Sequence, residues 1–535
     1  MSCDGPREMS DEKFRLFVFC KTGASAKAWG AISSSYHDLD ITTLVTRSPI
    51  GALRQIAAQA ERPFLVCRDD VWLGRGMSAH ATVLIEELNQ RFPNWALCGN
   101  RGVRWDGQRV YDFTYDMSGG GVQAAVCAHP VICLDDGLLL VNPGVVGNHT
   151  ELAPAIARHR VGVLWSLECL RNGSLIAVSP HLLSMREVAD EDEEPALDTE
   201  RAFREYYRAA FVNHRFPTPD GVLELSEIVD YRYVSEPWTT VPQQDTLELY
   251  DRCLAASQRV RRPSLTICCR TQFLRPEMLE RAVGSFAVCR QQMSRLVEVE
   301  VRLITDTTRD VAEPAVRRLR ANHPGAGLEC WYHEIRPNRH SRADLLLAAV
   351  ERAETDYIWC VDDDDFVNPS AGQTIARSLI AGAPLVVVAS SPVIRETWRK
   401  RDGRQEGYEW VDAERTSCHY AAHVFRVFRG VNFVPICSMI LPVVLMKERI
   451  AKVAALGNYN EDYFLLLLAL TAPRVELCML DCEIASISIR GDENTVAQKD
   501  RAGWNVSLAT FLLEVINNTE GNSPLLWQLA NAPRW

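Results

Sequence analysis

Apolar strands alternating with amphipathic helices, in an order that occurs twice, predict a mixed α/β protein with mostly parallel sheets. Three observations carry this prediction. Strand-like runs such as "RLFVFCKT" and "SLTICCRT" are apolar nearly throughout, as strands covered on both faces must be. Helical stretches of 11 to 18 residues separate them, the spacing of a parallel crossover. "ALRQIAAQAERPFLVC" and "LLLAAVERAETDYIWC" also match in period, length and closing Cys, and each runs into aspartates. That match predicts an internal duplication of an α/β unit.

The elements follow in order. "RLFVFCKT" (15–22) and "ITTLVTR" (41–47) are the first strands. The helix "GALRQIAAQAE" leads to a third, "PFLVCRDDVW" (63–72). The second half restarts with "SLTICCRT" (264–271), a helix over 276–293 and the strand "VEVRLITD" (299–306). The helix "RADLLLAAVERAE" then leads into "DYIWCVDDDD". Between the halves, the acidic "REVADEDEEPALDTER" (186–201) and the helix-like "AFREYYRAAFVNHRF" predict a helical connector that packs between the two sheets. The expected domains are 13–185, a connector over 186–262, 263–500, and a C-terminal helical tail over 501–535. "RETWRKRDGRQEGYEW" (395–410) reads as an exposed loop, either mobile beside an anionic ligand or simply solvated.

The totals narrow the function. A chain of 535 residues is too long for one ordinary core. A net charge of −11 argues against nucleic acid as partner, because phosphate backbones need a basic surface. Seventeen cysteines include no C-x-x-C pair, and Cys67, Cys268, Cys269 and Cys360 sit in apolar runs. They read as buried hydrophobes in a reducing compartment. "MSCDGPREMSDEKFR" has no apolar signal core, and "YFLLLLALTAP" is too short to span a bilayer, so a cytoplasmic enzyme is expected.

The chemistry centres on "YIWCVDDDDFVNP" (357–369). Adjacent carboxylates repel, so stacking four at a strand end destabilises the fold unless a cation neutralises them. Mg²⁺ or Mn²⁺ with oxygen ligands suits that place, at the strand ends where α/β sheets bind ligands. The rival reading is a solvated acidic turn, with Asp365 as a helix N-cap. "NED" (460–462) is a second acidic pair, which alternatively complements the dipole of the helix after it.

These residues resemble the family 2 glycosyltransferases of GT-A fold. "YIWCVDDDDFVNP" is similar to the family's D-x-D-D signature, "LTICCRT" and "RLITDTTRD" to its first two strands, and "LGNYNEDYFLLLLAL" to its E-D motif. The resemblance covers roughly 262–494. It implies two Rossmann-like, GT-A-like domains in tandem and a nucleotide-sugar donor. Asp364, Asp362 and Asp365 would hold a divalent ion. Thr271, Asp306, Arg342, Asp362, Asp363 and Arg490 would bind the nucleotide sugar, with Asp363 facing solvent. Asp462 would be the catalytic base, with Glu461 its neighbour or substitute. The family's later metal-binding His is missing, so Asp492 or fewer ligands would serve, or Arg490 would meet phosphate directly.

In the first half, "PFLVCRDDVWLGRGM" resembles the shorter "DDV" motif of another branch of that superfamily. Asp69, Asp70 and His181 then form a candidate second metal site; otherwise this half is a scaffold or holds the acceptor. The resemblance implies a glycan or lipid-linked acceptor, surface polysaccharide synthesis and peripheral contact with the inner membrane face, and leaves a homo-oligomer open. Two alternatives stand beside transfer: a nucleotidyltransferase making a nucleotide sugar, and a non-catalytic binding protein of this fold. The first usually brings a Gly- and Lys-rich loop after the first strand, which "CCRTQFLRPEM" lacks.

Overall fold

The computed structural model describes residues 13–46, 49–74, 76–105, 110–112, 114–116, 128–135, 137–147, 161–186, 215–218, 221–224, 244–257, 261–337, 339–380, 384–400, 408–429, 434–451, 460–472 and 475–490. The chain is mixed α/β with sheets rich in parallel pairs. It divides into two compact units, Met1–Val260 and Arg261–Trp535.

The first unit carries β1 (Phe14–Cys20), α1 (Gly23–Ile32), β2 (Leu39–Val45), α2 (Pro49–Gln59), β3 (Phe64–Arg68) and α3 (Met77–Arg91). Then come β4 (Trp95–Gly99), β5 (His129–Val131), β6 (Leu138–Val141), α4 (Val161–Arg171), β7 (Leu175–Val178) and α5 (Gln244–Ser257). Its main sheet runs β2-β1-β3-β6-β4-β7-β5. The first three strands are parallel, and β6 lies antiparallel between β3 and β4. The central strands β4, β6 and β7 are buried throughout, as strands covered on both faces are, whereas the edge strand β2 is largely open to solvent.

The expected connector is only partly helical. Within the stretch expected as a helical connector, Arg215–Thr218 and Gly221–Glu224 form an antiparallel strand pair, and all but the last two residues of the helix-like "AFREYYRAAFVNHRF" lie outside the described residues. Pro217, which has no backbone N–H to donate, disfavours a helix there. Helix α5 belongs to the first unit, where Asn94 Nδ2 donates to Cys253 O (3.2 Å) and Cys253 Sγ to Leu170 O (3.4 Å). The rest of the connector and the tail at 501–535 lie outside the described residues.

The second unit has β8 (Ser264–Arg270), α6 (Pro276–Met293), β9 (Glu298–Thr305), α7 (Arg309–Asn322), β10 (Leu328–Tyr332), α8 (Ser341–Arg352) and β11 (Tyr357–Asp362). Beyond these lie β12 (Phe366–Val367), α9 (Gly372–Leu379), β13 (Leu385–Lys400), β14 (Tyr408–His419), β15 (Met439–Pro442), α10 (Val443–Ala451), α11 (Glu461–Leu470), β16 (Glu476–Glu483) and β17 (Ala485–Arg490). The sheet runs β10-β9-β8-β11-β15-β13-β17-β12, with β14 and β16 also paired to β13. Strands β10, β9, β8 and β11 are parallel, and β15 is antiparallel to both β11 and β13.

Six strands of each sheet share chain order, spatial order and direction. The path β2-β1-β3-β6-β4-β7 in the first unit corresponds to β9-β8-β11-β15-β13-β16 in the second. The core of the second unit lies around α11, whose residues Tyr463–Leu470 are all buried, as a helix apolar all round must be. No helix among the described residues is long and apolar enough to cross a membrane. The stretch expected as a loop at 395–410 is mostly the facing arms of β13 and β14, which pair from Ser391↔His419 to Lys400↔Tyr408. Period-two alternation through "VIRETW" carries the chain into a hairpin there.

Candidate active site

The parallel strands reverse their order of addition between β8 and β11, because β9 and β10 extend the sheet one way and β11 the other. Ligands of open α/β sheets bind at such a point, outside the carboxyl ends of the strands. A cleft of about 220 Å³ opens there, with Arg270, Thr271, Arg275, Arg342 and Asp362 in its lining.

Four charges alternate in a ring at its base. The register sets Arg270 beside Asp362. Arg270 Nε donates to Asp362 Oδ1 at 2.8 Å and Nη2 lies 2.6 Å from the same oxygen. Arg342, in the first turn of α8, reaches Asp362 Oδ2 at 3.2 Å. Glu461 opens α11 after Asn460, which is fully buried in a left-handed backbone (φ 60°). Its Oε1 accepts from Arg342 Nε at 2.5 Å and from Arg270 Nη1 at 3.1 Å. Burial works against ionising Asp362 and Glu461, but the two guanidiniums prevail and hold both carboxyls below their usual range.

The next three aspartates each meet a different environment. Asp363 Oδ2 accepts from Thr271 Oγ1 at 2.7 Å, and Arg275 Nη1 lies 3.4 Å from Oδ1. Burial pushes its carboxyl up to about 6, against the pull of Thr271 and with Asp364 adding to the rise. The same Thr271 oxygen accepts from Phe273 N at 2.9 Å, fixing a bulky residue at φ 60°, a strained backbone that persists only where its surroundings impose it. Asp364 is paired with Arg275. Asp365 is buried and accepts from Ser488 N at 2.9 Å; burial, then Asp364 and Asp362, push its carboxyl well up.

Arg281, on the inner face of α6, holds this turn from behind. Its Nη2 donates to Asp364 O at 2.9 Å and Ser488 Oγ at 3.1 Å, and it is ion-paired with the buried Glu396 of β13. The guanidinium lies 4.4 Å from the Phe366 ring centroid and 5.7 Å from that of Trp398, a double cation–π contact.

Carboxylate oxygens of Asp362, Asp364 and Asp365 lie within 4.8 Å of one another, the only such His/Cys/Asp/Glu group among the described residues. Three hard oxygen donors at a strand end fit Mg²⁺ or Mn²⁺. Burial is the first cause of the upward push on Asp365, and the like-charge repulsion from Asp364 and Asp362 that adds to it is what such an ion would relieve.

Of the residues read from the sequence, Thr271, Arg342 and Asp362 to Asp364 border one cleft, with Asp365 and Glu461 behind them. Asp306 directly follows β9, its Oδ2 accepting from Gln272 Nε2 at 3.3 Å. Asp462 stands at the start of α11, where its Oδ1 accepts from Tyr463 N at 2.8 Å. Asp363 does not face solvent as expected: its side chain is 13% exposed, because the turn folds it back onto Thr271 and Arg275. Arg490 ends β17, with its side chain outside the description, and Asp492 lies outside the described residues.

The candidate second metal site does not come together as a cluster of three. Asp70 is held by Arg68 through two hydrogen bonds of 3.0 and 2.9 Å, and Asp69 Oδ2 accepts from Lys21 N at 2.7 Å. His181 Nε2 instead faces Glu87 at 3.9 Å. The cysteines expected to be buried are so. Cys67, Cys268, Cys269 and Cys360 are buried free thiols, and burial pushes that of Cys360 up to about 12. Sequence reasoning missed Arg270, Arg275 and Arg281. The only signal for Arg270 was a charge ending an otherwise apolar strand.

No family model matches the chain, and no curated protein matches it. Among solved structures it is similar to residues 1–349 of Staphylococcus aureus TarS in complex with UDP-GlcNAc, at 15% identity over 50% of this chain and 70% of that one, with a TM-score of 0.33. It is also similar to the mannosyltransferase PcManGT from Pyrobaculum calidifontis in complex with GDP-Man and Mn²⁺, at 12% identity over 51% and 71%, with a TM-score of 0.32. At these TM-scores the likeness carries no functional weight.

Proposed function

We propose that the second unit is an inverting, metal-dependent glycosyltransferase of GT-A type. It moves a sugar from a nucleotide diphosphate to a hydroxyl of a glycan or glycoconjugate. The observation that supports this best is the convergence of Asp362, Asp364 and Asp365 behind an arginine-lined cleft at the strand switch point. The strand ends at Thr271 and Asp306 take the nucleoside, and Arg342 faces the diphosphate. When bound by the aspartates, Mg²⁺ or Mn²⁺ supplies positive charge to the departing diphosphate. The acceptor oxygen attacks the anomeric carbon from the face opposite that group. The bond from carbon to the diphosphate oxygen breaks with its electron pair, and Asp462 takes the acceptor's proton.

The first unit serves as scaffold or acceptor holder, since Asp70 is committed to Arg68. Surface polysaccharide is the proposed product class, made at the inner membrane face.

The test is release of UDP or GDP from nucleotide sugars by the wild-type chain and by Asp462→Asn. A rate lowered about 10²–10⁴-fold with donor binding intact supports the assignment. Unchanged release removes Asp462 as base. Pyrophosphate released from a nucleoside triphosphate and a sugar phosphate would make the protein a nucleotidyltransferase.

A further inference from the structure

The ring at the base of the cleft is two-sided. Arg270, Arg342 and Asp362 border the cleft, whereas Glu461 is not in its lining and grips both guanidiniums from behind. Asp362 is one of the three carboxylates that converge for an ion, and it is also the cleft-side partner of both arginines. One carboxylate therefore has two sets of partners.

We infer that Arg270 and Arg342 form a phosphate clamp in which a donor phosphate takes the place of Asp362 on the guanidiniums while Glu461 keeps them in position. The inference rests on the donor reading above and adds Arg270 as a binding residue, with Glu461 as a positioning residue. Three facts favour it. Guanidinium forks match phosphate oxygens as well as they match carboxylate oxygens, so the exchange preserves hydrogen-bond geometry. Local charge balance is kept too, because an arriving phosphate puts one anionic group on the guanidiniums in place of the carboxylate it displaces. Finally, Glu461 Oε1 accepts from both arginines, so neither loses its anchor when Asp362 moves.

The exchange gives opposite signs in two variants, which a purely structural ion network does not. The experiment is titration of inorganic pyrophosphate into the full-length chain in EDTA, followed by calorimetry. Wild type is expected to bind. Arg270→Gln is expected to bind at least about tenfold more weakly, the scale of one lost charged hydrogen-bonding partner. Arg270→Lys, which keeps the charge but not the fork, falls between. Asp362→Asn is expected to bind several-fold more tightly than wild type, because the competing carboxylate charge is gone. Thermal melts identify any variant that fails to fold, and Asp362→Asn with Arg270→Lys decide the matter if Arg270→Gln does not. Absence of metal-free binding in both wild type and Asp362→Asn overturns the clamp, as does unchanged affinity in Arg270→Gln or weakened affinity in Asp362→Asn. Sugar transfer by a chain that fails this test leaves the transferase reading standing without the clamp. Pyrophosphate binding by a chain with no transfer activity does the reverse.

Discussion

Asp363 shows how far one residue's environment departs from what its sequence position suggests. Four aspartates in a row are visible at once, but a turn of unknown geometry does not tell which of them points inward. Asp363 turns toward Thr271 and Arg275, and burial pushes its carboxyl up to about 6. The folded chain therefore keeps a proton there that the unfolded chain has already released. The stability this contributes is full below the unfolded value and is lost as pH rises through about 6. In EDTA, Asp363→Asn is expected to be more stable than wild type above about pH 6, by on the order of 3 kcal/mol, and to lose that advantage by about pH 4. Urea midpoints across that range check it, and a constant difference between the two chains contradicts it. Glu461 supplies a second test at this scale. Glu461→Gln leaves Arg270 and Arg342 sharing one carboxylate, and is expected to destabilise the fold by about 3–5 kcal/mol, read from urea unfolding.

At the scale of elements, the strands and helices leading to the site were legible. The predicted helix over 276–293 is α6, and the predicted strands at 264–271 and 299–306 are β8 and β9 to within a residue or two. Period and apolar continuity suffice for such buried elements. The pillar that links them was not legible. Arg281, Ser488 and the pair Glu396 and Trp398 come from three segments far apart in sequence, and β13 reads locally as a polar loop because its outer half carries charges on both faces. The pillar fixes the acidic turn to the hairpin, so its pairing can be measured. Arg281→Met strands a carboxylate that is 2% exposed and is expected to destabilise by about 3–5 kcal/mol. The double variant with Glu396→Gln should recover a large part of that loss, because no buried charge is left alone. An additive double variant in urea unfolding would show that the pair is not coupled.

For the whole molecule, the repeated strand path explains why the two halves look alike in sequence while their strand ends differ. Each has an apolar strand running into aspartates, at β3 and at β11. Beyond that, the first unit has Cys20 at the end of β1 where the second has Arg270 at the end of β8. The first turn of α4 has no acid where α11 begins with Glu461 and Asp462. The sequence shows the duplication of the scaffold because packing constrains every strand. It hides the difference in chemistry because that depends on a few side chains meeting across long separations. One donor site, in the second unit, is the expectation. The measurement that tests this most directly is calorimetric titration of UDP and of GDP in the presence of Mn²⁺, on wild type, Asp364→Ala and Asp70→Ala. One metal-dependent binding event, lost in Asp364→Ala and intact in Asp70→Ala, is the predicted result. Binding that survives Asp364→Ala, or that is absent with both nucleotides in wild type, would contradict it.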